Sequence, residues 1–545
     1  MTKKHFDYIV IGSGFGGSVS AMRLAEKGYR VLVIEKGKHW KATDFPKSNW
    51  NLRKYLWLPF FRWFGFLRLS FFKEVFILSG VGVGGGSLVY ANTHMMPPDA
   101  FYQNPNWSGF KNWKEILAPF YATARFMLGS SKYEKENAED QILKEVAEEM
   151  GRGSTYGRVD YVGVYLGDTK KEKDPYFNGL GPMRKGCTEC AGCMVGCRYN
   201  AKNTLDKNYL WLAEKLFGAT ILAETETTEI KLNADNTYHV KAKSSTALWN
   251  KKQDTFTCSG IIVSGGVLGT LDLLLKQKFV YKTLPLLSDR LGENLLTNSE
   301  MLSGVVAADR KLNHGLAIST VFNPDDHTHI ELCKFPDKSG AMVRLAVMAA
   351  GNGNPFTRTL KMIRNILAHP LDFFRSIFQR DTARNSVIFL IMQSLQNAMR
   401  MKLKKGLTGY QLSFSNDSGT KVPSYIPIGQ DALYRYAGKV NGVPQNAFSE
   451  VMFGLASTAH ILGGCPMGKT RETGVVNERF EVHGYRNFYI LDGSIVPCNL
   501  GVNPSLTITA LSEYAMSFIP AHPDRKEKSL EERMAEQPTS SPLAS

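Results

Sequence analysis

A chain of 545 residues, 43% of them hydrophobic, is longer than one core usually supports, so its length predicts two closely packed domains. The formal net charge of +16 would suit nucleic acid, an anionic membrane surface or an acidic substrate. No block of lysine and arginine resembles a nucleic-acid-binding arm, so we expect no nucleic-acid partner.

The amino-terminal residues have the pattern of a dinucleotide-binding unit. An apolar run is followed by the turn GSGFGG, an amphipathic stretch and a second apolar run. Gly12 allows the tight turn, Gly14 lets the backbone approach a pyrophosphate, and Gly17 lets helix and strand pack closely. Glu35, after the second apolar run, can accept hydrogen bonds from a ribose. The pattern predicts dinucleotide binding without separating NAD from FAD.

This strand begins at about residue 7, which leaves no room for a secretory signal ahead of it. No stretch has the roughly 18 uninterrupted apolar residues of a membrane-spanning helix. We therefore expect a cytoplasmic protein. In that reducing compartment the eight cysteines are expected to be metal-binding, redox-active or buried rather than paired in disulfides.

Two segments combine aromatic and basic residues. In residues 47–73, tryptophan, tyrosine and phenylalanine are interleaved with arginine and lysine, and residues 354–405 carry ten lysines and arginines against two aspartates together with the run FTRTLKMIRNILAHPLDFFRSIF. Such a composition suits a membrane interface, where rings lie at headgroup level and cations meet anionic lipids. We expect peripheral association with the inner face of the membrane. The alternative is that both segments form core helices with a solvated basic side.

Four cysteines follow a spacing used for iron–sulfur ligation in ferredoxins. Cys187, Cys190, Cys193 and Cys197 form the run C-x-x-C-x-x-C-x-x-x-C. In two-cluster ferredoxins the fourth cysteine serves the other cluster and a proline follows it, whereas Arg198 follows here. A zinc site and a set of free thiols therefore stay as alternatives. A cluster near a flavin would let electrons pass one at a time from the flavin to a carrier instead of to oxygen.

Glycine-rich segments recur along the chain. Residues 79–98 contain the run GVGVGGGSLVYAN, and residues 220–275 end in a buried strand that passes through SGG into a helix. We expect that strand to rejoin the first sheet. Residues 456–518 hold another buried strand, a turn at DGS and a helix that begins near NPS. Glycine runs of this kind let the backbone contact a flat ring system, which side chains would prevent.

These segments, in this order, resemble the glucose-methanol-choline (GMC) family of flavoprotein oxidoreductases, and most closely its bacterial cholesterol-oxidase-like branch. The similarity runs from about residue 5 to about residue 518. It rests on IGSGFGGS with Glu35, GVGGGSLV at 82–89, VSGGVLGT at 263–270, HILGGCPMG at 460–468 and LDGSIVPCNLGVNPSLTITA at 491–510.

The resemblance implies an α/β fold: a Rossmann-like domain that binds FAD and a discontinuous α+β domain, built on a mostly antiparallel sheet, that binds the substrate. The expected ranges are 1–98, 200–300 and 456–518 for the FAD-binding domain, 99–199 for a cysteine-containing segment that covers FAD, 301–455 for the substrate-binding domain and 519–545 for a disordered tail.

The resemblance also implies non-covalent FAD, although His94 lies in a region where some family members tether the flavin. The residues expected to contact FAD are Gly12, Gly14, Phe15, Gly17, Glu35, Gly84, Gly85, Gly86, Ser87, Asn92, Asp492, Gly493, Asn503 and Pro504.

For catalysis, the resemblance implies that His460 and Asn503 hold the substrate oxygen while hydride passes to flavin N5. Glu331 matches, more loosely, a carboxylate that lies over a sterol ring, where it shuttles protons and moves a double bond. From their local patterns alone, Asn503 would cap the helix that follows it and Glu331 would face solvent.

The expected reaction is oxidation of a hydroxyl on a bulky apolar alcohol, a 3-hydroxysteroid or related lipid, with oxygen or an electron carrier as acceptor. The alternative within the family is a dehydrogenase of another alcohol or a sugar, with a quinone, cytochrome or iron–sulfur acceptor. The alternative from another class is a non-catalytic flavin- or lipid-binding protein at membranes.

Overall fold

The computed structural model describes residues 4–249, 252–407, 409–415 and 422–537. The strands are β1 Lys4–Ile11, β2 Val31–Ile34, β3 Trp57–Leu58, β4 Trp63–Phe64, β5 Leu67–Phe71, β6 Val75–Gly80, β7 Gly157–Arg158, β8 Thr220–Leu222, β9 Thr225–Leu232, β10 Tyr238–Ser244, β11 Gln253–Val263, β12 Leu295–Leu296, β13 Met301–Ala307, β14 Thr320–Phe322, β15 Thr328–Cys333, β16 Ala346–Met348, β17 Ser386–Gln393, β18 Arg400–Gly406, β19 Gly409–Ser415, β20 Gly442–Ala447, β21 Ala456–Thr458, β22 Leu462–Gly463 and β23 Phe488–Ile490.

The helices are α1 Phe15–Glu26, α2 Leu52–Tyr55, α3 Asp99–Tyr102, α4 Trp113–Met127, α5 Ala138–Glu149, α6 Tyr209–Trp211, α7 Gly266–Leu275, α8 Pro355–Ala368, α9 Pro370–Phe378, α10 Pro427–Lys439, α11 Phe448–Met452, α12 Ser505–Ser517 and α13 Leu530–Glu536.

The first sheet follows the order β8-β2-β1-β11-β10-β9, and β23 pairs with the second half of β11. Strands β8, β2, β1, β11 and β23 run parallel to their neighbours, while β9 and β10 form an antiparallel extension. The predicted return of a late strand to the first sheet is confirmed, because β11 pairs directly with β1. Helices α1 and α12 pack against each other and are joined by an ion pair between Arg23 and Glu513 at 2.7 Å.

The parallel arrangement brings the carboxyl ends of four strands to one edge. The turn at Gly12 follows β1, Glu35 follows β2, Ser264 follows β11 and Asp492 lies two residues beyond β23. Ligands of open parallel sheets bind at this edge. The motifs that are far apart in sequence therefore meet in one place.

The second sheet follows the order β16-β20-β13-β17-β15-β14-β7, and every pair in it is antiparallel. Buried residues of its strands pack with α5 and α10 in a separate hydrophobic core. The predicted combination of a Rossmann-like part and a mostly antiparallel part is confirmed. Strand β7, from the cysteine-containing segment of residues 99–199, pairs with β14 and so attaches that segment to the second sheet.

The two aromatic and basic segments mix buried and exposed residues. Tyr55 and Phe66 are core residues, but the turn between β3 and β4 exposes Phe60 and Phe61. Helices α8 and α9 expose a row of large apolar side chains: Phe356, Leu360, Ile363, Leu367, Leu371, Phe374 and Phe378. Within the described ranges, no helix is both long and apolar enough to cross a membrane.

The prediction of a disordered tail from residue 519 is wrong for the residues up to 537. Helix α13 begins with a capping box between Ser529 and Glu532, and Leu530 is buried. The Leu530 amide donates to the Glu26 carboxylate at 2.8 Å, which attaches this helix to α1. The polar composition of the segment as a whole concealed one capped helical turn and one buried leucine. Residues 538–545 lie outside the described residues.

Replacing Leu530 with alanine is expected to lower the free energy of unfolding by about 2 to 4 kcal/mol, because a buried leucine side chain is removed from its contacts. Thermal melting of the purified protein measures the effect. Leu530→Met is the matched control and should cost less than about 1.5 kcal/mol. An unchanged melting temperature for Leu530→Ala would contradict the packing of the tail.

Candidate active site

The first glycine turn is packed so closely that only glycine fits at three positions. A Cβ on Gly12 would lie 2.2 Å from the Ser264 carbonyl oxygen, and one on Gly17 would lie 2.1 Å from the Gly12 carbonyl oxygen. A Cβ on Gly16 would lie 1.8 Å from the carbonyl oxygen of Leu491. A Cβ on Gly14 would meet no atom within 4 Å, so this glycine alone borders open space. The turn thus packs tightly on the sheet and leaves room on its outer side.

The second glycine cluster lies directly on the first. The Gly84 amide donates to Ser13 Oγ at 3.1 Å, and a Cβ on Gly85 would lie 2.7 Å from the Gly14 α-carbon. Gly84 and Gly85 both have positive φ angles, of 104° and 52°. Ser87 Oγ donates to the Gly84 carbonyl at 2.7 Å and closes the turn. The two clusters therefore form one continuous wall of backbone.

Glu35 holds this wall together. Its carboxylate accepts hydrogen bonds from the amide and hydroxyl of Ser13, at 3.1 and 2.7 Å, and from the Gly37 amide at 2.7 Å. Burial raises the pKa of Glu35, although these hydrogen bonds oppose the shift. A ribose hydrogen bond from Glu35 stays a prediction. Its contacts within the chain already explain an acid at this position.

Asp492 joins two of the glycine-containing segments named above. Its carboxylate accepts from the Thr270 hydroxyl at 2.5 Å and from both the amide and hydroxyl of Ser494. Gly493 follows, and a Cβ there would lie 3.3 Å from the Ile461 carbonyl oxygen. The DGS turn is therefore in contact with the segment headed by His460.

The remaining predicted FAD contacts surround the same region. Phe15 begins α1 and its ring meets Tyr90 edge-on with centroids 5.7 Å apart. Gly86 is close enough that its Cβ would lie 3.7 Å from the Phe15 ring. Pro504 precedes α12, and the next residue donates from its hydroxyl to the Thr93 carbonyl at 2.9 Å. This bond holds Pro504 near Asn92.

The buried side chain of Asn92 indicates whether a cofactor fits this region. It is fully buried with a positive φ of 64°, and neither atom of its amide side chain has a hydrogen-bond partner within the described residues. The carbonyl oxygen of the Asn503 side chain is also unpartnered. Buried amides of this kind need partners. The unpartnered amides and the open side of Gly14 fit a ligand with many polar atoms, such as FAD.

His94 is buried and its Nδ1 lies 2.8 Å from the Ser130 hydroxyl. Burial lowers the pKa of His94 to about 3, so the imidazole is neutral. Non-covalent attachment of FAD stays a prediction.

His460, Asn503 and Glu331 come together in one cluster. The Asn503 side-chain amide lies 3.4 Å from His460 Nε2 and donates to Glu331 Oε2 at 3.3 Å. Two of the local alternatives are therefore wrong. Glu331 is fully buried on β15 and does not face solvent, and the Asn503 side chain makes no capping bond to α12. Every residue of β15 is buried, because the strand is covered on both faces.

The sequence analysis missed Glu300 and His329. Glu300 is fully buried, hydrogen-bonds to His460 Nδ1 and accepts from the Ala459 amide at 2.7 Å. His329 Nε2 lies 3.2 Å from Glu331 Oε1, two residues along the same strand. The H-x-E pattern at 329–331 was a usable signal, since residues two apart on a strand share a face. Glu300 stands 160 residues before His460 and no local pattern marks it.

These contacts assign the protons of His460. An amide N–H directed at Nε2 requires a lone pair there, so that Nδ1 carries the hydrogen and donates it to Glu300. Burial opposes a positive charge on the ring, but the carboxylates of Glu300 and Glu331 outweigh it and raise the pKa of His460. The site therefore holds a histidine that is readily protonated at Nε2.

The four clustered cysteines lie some distance along the chain from this site but beside the glycine wall. All four thiols are free and line a cavity of about 470 Å³. Within the described part of the chain, no three histidine, cysteine or acidic side chains are arranged to hold a single metal ion.

Comparison with known proteins agrees with this architecture. A family model described as GMC oxidoreductase matches residues 394–512, and one described as NAD(P)-binding Rossmann-like domain matches residues 10–42. A cholesterol oxidase of Acinetobacter baumannii is 40% identical over 95% of this chain and 94% of its own length. A cholesterol oxidase of Mycobacterium tuberculosis is 40% identical over 95% of this chain and 92% of its own length.

Among solved structures, pyridoxine 4-oxidase superposes with a TM-score of 0.60 at 14% identity, over 94% of this chain and 99% of that one. This likeness shows the fold. The identity to the two relatives shows the family: the chain belongs to the GMC oxidoreductases. Within that family it lies in the cholesterol-oxidase-like branch and is an FAD-dependent oxidoreductase that acts on CH–OH donors.

Replacing Glu300 with glutamine is expected to lower the pKa of His460, because the charge and the hydrogen bond that most strongly favour the protonated ring are removed. NMR titration of histidine-labelled protein measures it, with His460 assigned by substitution. Glu450→Gln, at another buried carboxyl, is the matched control and should leave the His460 titration in place. An unshifted titration in Glu300→Gln would refute the assigned role of this carboxylate.

Proposed function

We propose that this protein oxidises the 3-hydroxyl of a sterol or a similarly bulky lipid alcohol, with FAD as hydride acceptor. The observation that carries the proposal is the cluster of His460, Asn503 and Glu331 next to the glycine wall. The names of the two relatives, both cholesterol oxidases, support a sterol as substrate and oxygen as acceptor.

His460 and Asn503 would hold the substrate hydroxyl between them. The lone pair at His460 Nε2 accepts the hydroxyl proton, and the Asn503 amide donates to the substrate oxygen as negative charge grows on it. Glu300, on the opposite nitrogen, fixes the tautomer and stabilises the protonated ring. When bound, FAD supplies the electron-pair acceptor for the hydride that leaves the carbinol carbon.

Glu331 is suited to a second step, migration of a double bond in the oxidised product. Its carboxylate is fully buried and held between His329 and the Asn503 amide. It can take a proton from the carbon next to the new carbonyl and return it further along the ring. Oxidation does not require this proton transfer, so the two activities should be separable.

Anaerobic bleaching of the flavin spectrum tests substrate class and catalysis together. Cholesterol should reduce the flavin of the holoenzyme, and glucose should not. His460→Ala combined with Asn503→Ala should slow bleaching roughly 100-fold or more while FAD stays bound, because a base and a hydrogen-bond donor are lost. His5→Ala, at an exposed histidine, is the control. Undiminished bleaching in the double variant would refute the assigned roles.

The proposal includes a membrane surface as the source of the substrate. Helices α8 and α9 expose seven large apolar side chains, flanked by the exposed cations Lys361, Arg364, Arg375 and Arg380. Arg358, on the buried side of α8, donates to the Glu450 carbonyl at 2.8 Å, and Glu450 accepts from the Leu302 amide at 2.9 Å. These contacts attach the buried side of α8 to strand β13.

Sedimentation with anionic vesicles at low salt tests the surface. The wild type should bind, and Phe356→Glu with Phe374→Glu should release it, since two anchors become charges of the same sign as the lipid. Phe279→Glu, at an exposed phenylalanine outside these helices, should bind like the wild type. Equal binding of all three proteins would contradict the assignment of this face.

A further inference from the structure

We propose that Cys187, Cys190, Cys193 and Cys197 bind an iron–sulfur cluster in the cavity that all four of them line. The cavity has a volume of about 470 Å³ and all four cysteines line it. The spacing is the one that ferredoxins use to wrap thiolates around a cluster. Position in space and spacing in sequence are independent observations, and both point to the same four residues.

The backbone of this segment is coiled around the cavity. Glu189, Ala191 and Gly196 all have positive φ angles, of 54°, 53° and 81°. For alanine this conformation is uncommon and persists only where the surroundings enforce it. The Ala191 amide donates to the Gly315 carbonyl at 2.9 Å, which anchors the coil to the rest of the chain. The surrounding structure therefore holds this segment coiled against the cavity that the four cysteines line.

Backbone amides are directed at the sulfur atoms. The Glu189 amide donates to Cys187 Sγ and the Ala201 amide to Cys197 Sγ, each at 3.4 Å. Hydrogen bonds to the ligand sulfurs are a recurring feature of iron–sulfur sites, where they stabilise the negative charge of the cluster. Two thiols are therefore already placed as acceptors.

Three buried basic residues lie near the cysteine segment. Arg184, Lys202 and Lys207 are buried, and the carboxylate of Asp206 acts electrostatically on all three. Lys202 lines the cavity, and Lys207 Nζ has no hydrogen-bond partner among the described residues. Because one acid faces three buried basic groups, an anionic cluster in the cavity would lie in favourable electrostatic surroundings.

The cavity adjoins the glycine wall. Lys202 Nζ donates both to the Cys193 carbonyl at 2.8 Å and to the Leu88 carbonyl at 3.1 Å, and Leu88 follows Ser87 in the second glycine cluster. One side chain thus joins the cysteine segment to the predicted flavin site. A cluster here would receive electrons from the oxidation reaction, a role that rests on the proposed function.

The electrons and protons of this electron transfer are accounted for as follows. Oxidation of one alcohol to a carbonyl releases two electrons and two protons. The electrons pass through the cluster one at a time to two molecules of a one-electron carrier, and the protons go to solvent. The reduced flavin could then be reoxidised without oxygen.

Metal analysis of holoenzyme purified without oxygen tests the site. We expect iron and acid-labile sulfide in equal amounts, and an electron paramagnetic resonance signal after reduction with dithionite. Cys190→Ser and Cys197→Ser should lose iron, sulfide and signal while they keep FAD. Cys498→Ser, at a buried cysteine outside the segment, should keep all of them.

Absence of iron from the wild type, both as purified and after incubation with iron and sulfide, would overturn the proposal. So would stoichiometric zinc, or iron that persists in both serine variants. Adding cholesterol instead of dithionite tests the electron route. If the flavin bleaches and the cluster signal does not appear, the relay is refuted; if only dithionite gives the signal and the flavin stays oxidised, the cluster stands and the proposed substrate fails.

Discussion

The side-chain amide of Asn503 joins the two parts of the molecule at one point. Asn503 precedes α12, which packs against α1 of the first domain, and its amide reaches His460 Nε2 at 3.4 Å and the carboxylate of Glu331 at 3.3 Å. Glu331 belongs to β15 in the middle of the antiparallel sheet. The relative position of the two sheets therefore determines whether His460 and Glu331 can contact the same substrate molecule.

The glycine positions explain how the cofactor side of the site is built. Gly12, Gly16 and Gly17 are required by backbone contacts with other strands, and Gly14 alone borders open space. Most glycines of the first motif therefore serve packing. That packing fixes the place of Gly14, whose backbone can approach a ligand. Glu35 and Asp492 act in the same way, since each uses its carboxylate to join chain segments.

Burying several charges at one site has an electrostatic consequence. Glu300 and Glu331 are both fully buried, and His460 lies between them. Removing such carboxylates from water is costly unless a cation or donors compensate. Donors from Ala459, the neutral His460 ring and Asn503 compensate the two acids, and the same carboxylates stabilise the imidazolium that forms when Nε2 accepts a proton. Stability and catalysis here depend on one set of contacts.

Much of the fold could be predicted from the sequence because its motifs are local. The β1 turn, the return of β11 beside β1 and the DGS turn each show their pattern within about ten residues, and His460 and Asn503 stand in recognisable runs. Glu300 could not be predicted, because its partner lies 160 residues away and burial of an acid leaves no local signature. The capped helix α13 was missed because its stabilising contacts are with α1 and not within the segment.

The most direct measurement of the central claim is a structure of the holoenzyme with a 3-hydroxysteroid bound under anaerobic conditions. The account predicts that the hydroxyl oxygen lies within hydrogen-bond distance of both His460 Nε2 and the Asn503 amide, with Glu331 beside the steroid ring system. A hydroxyl bound elsewhere, with His460 and Asn503 still in contact only with each other, would contradict it.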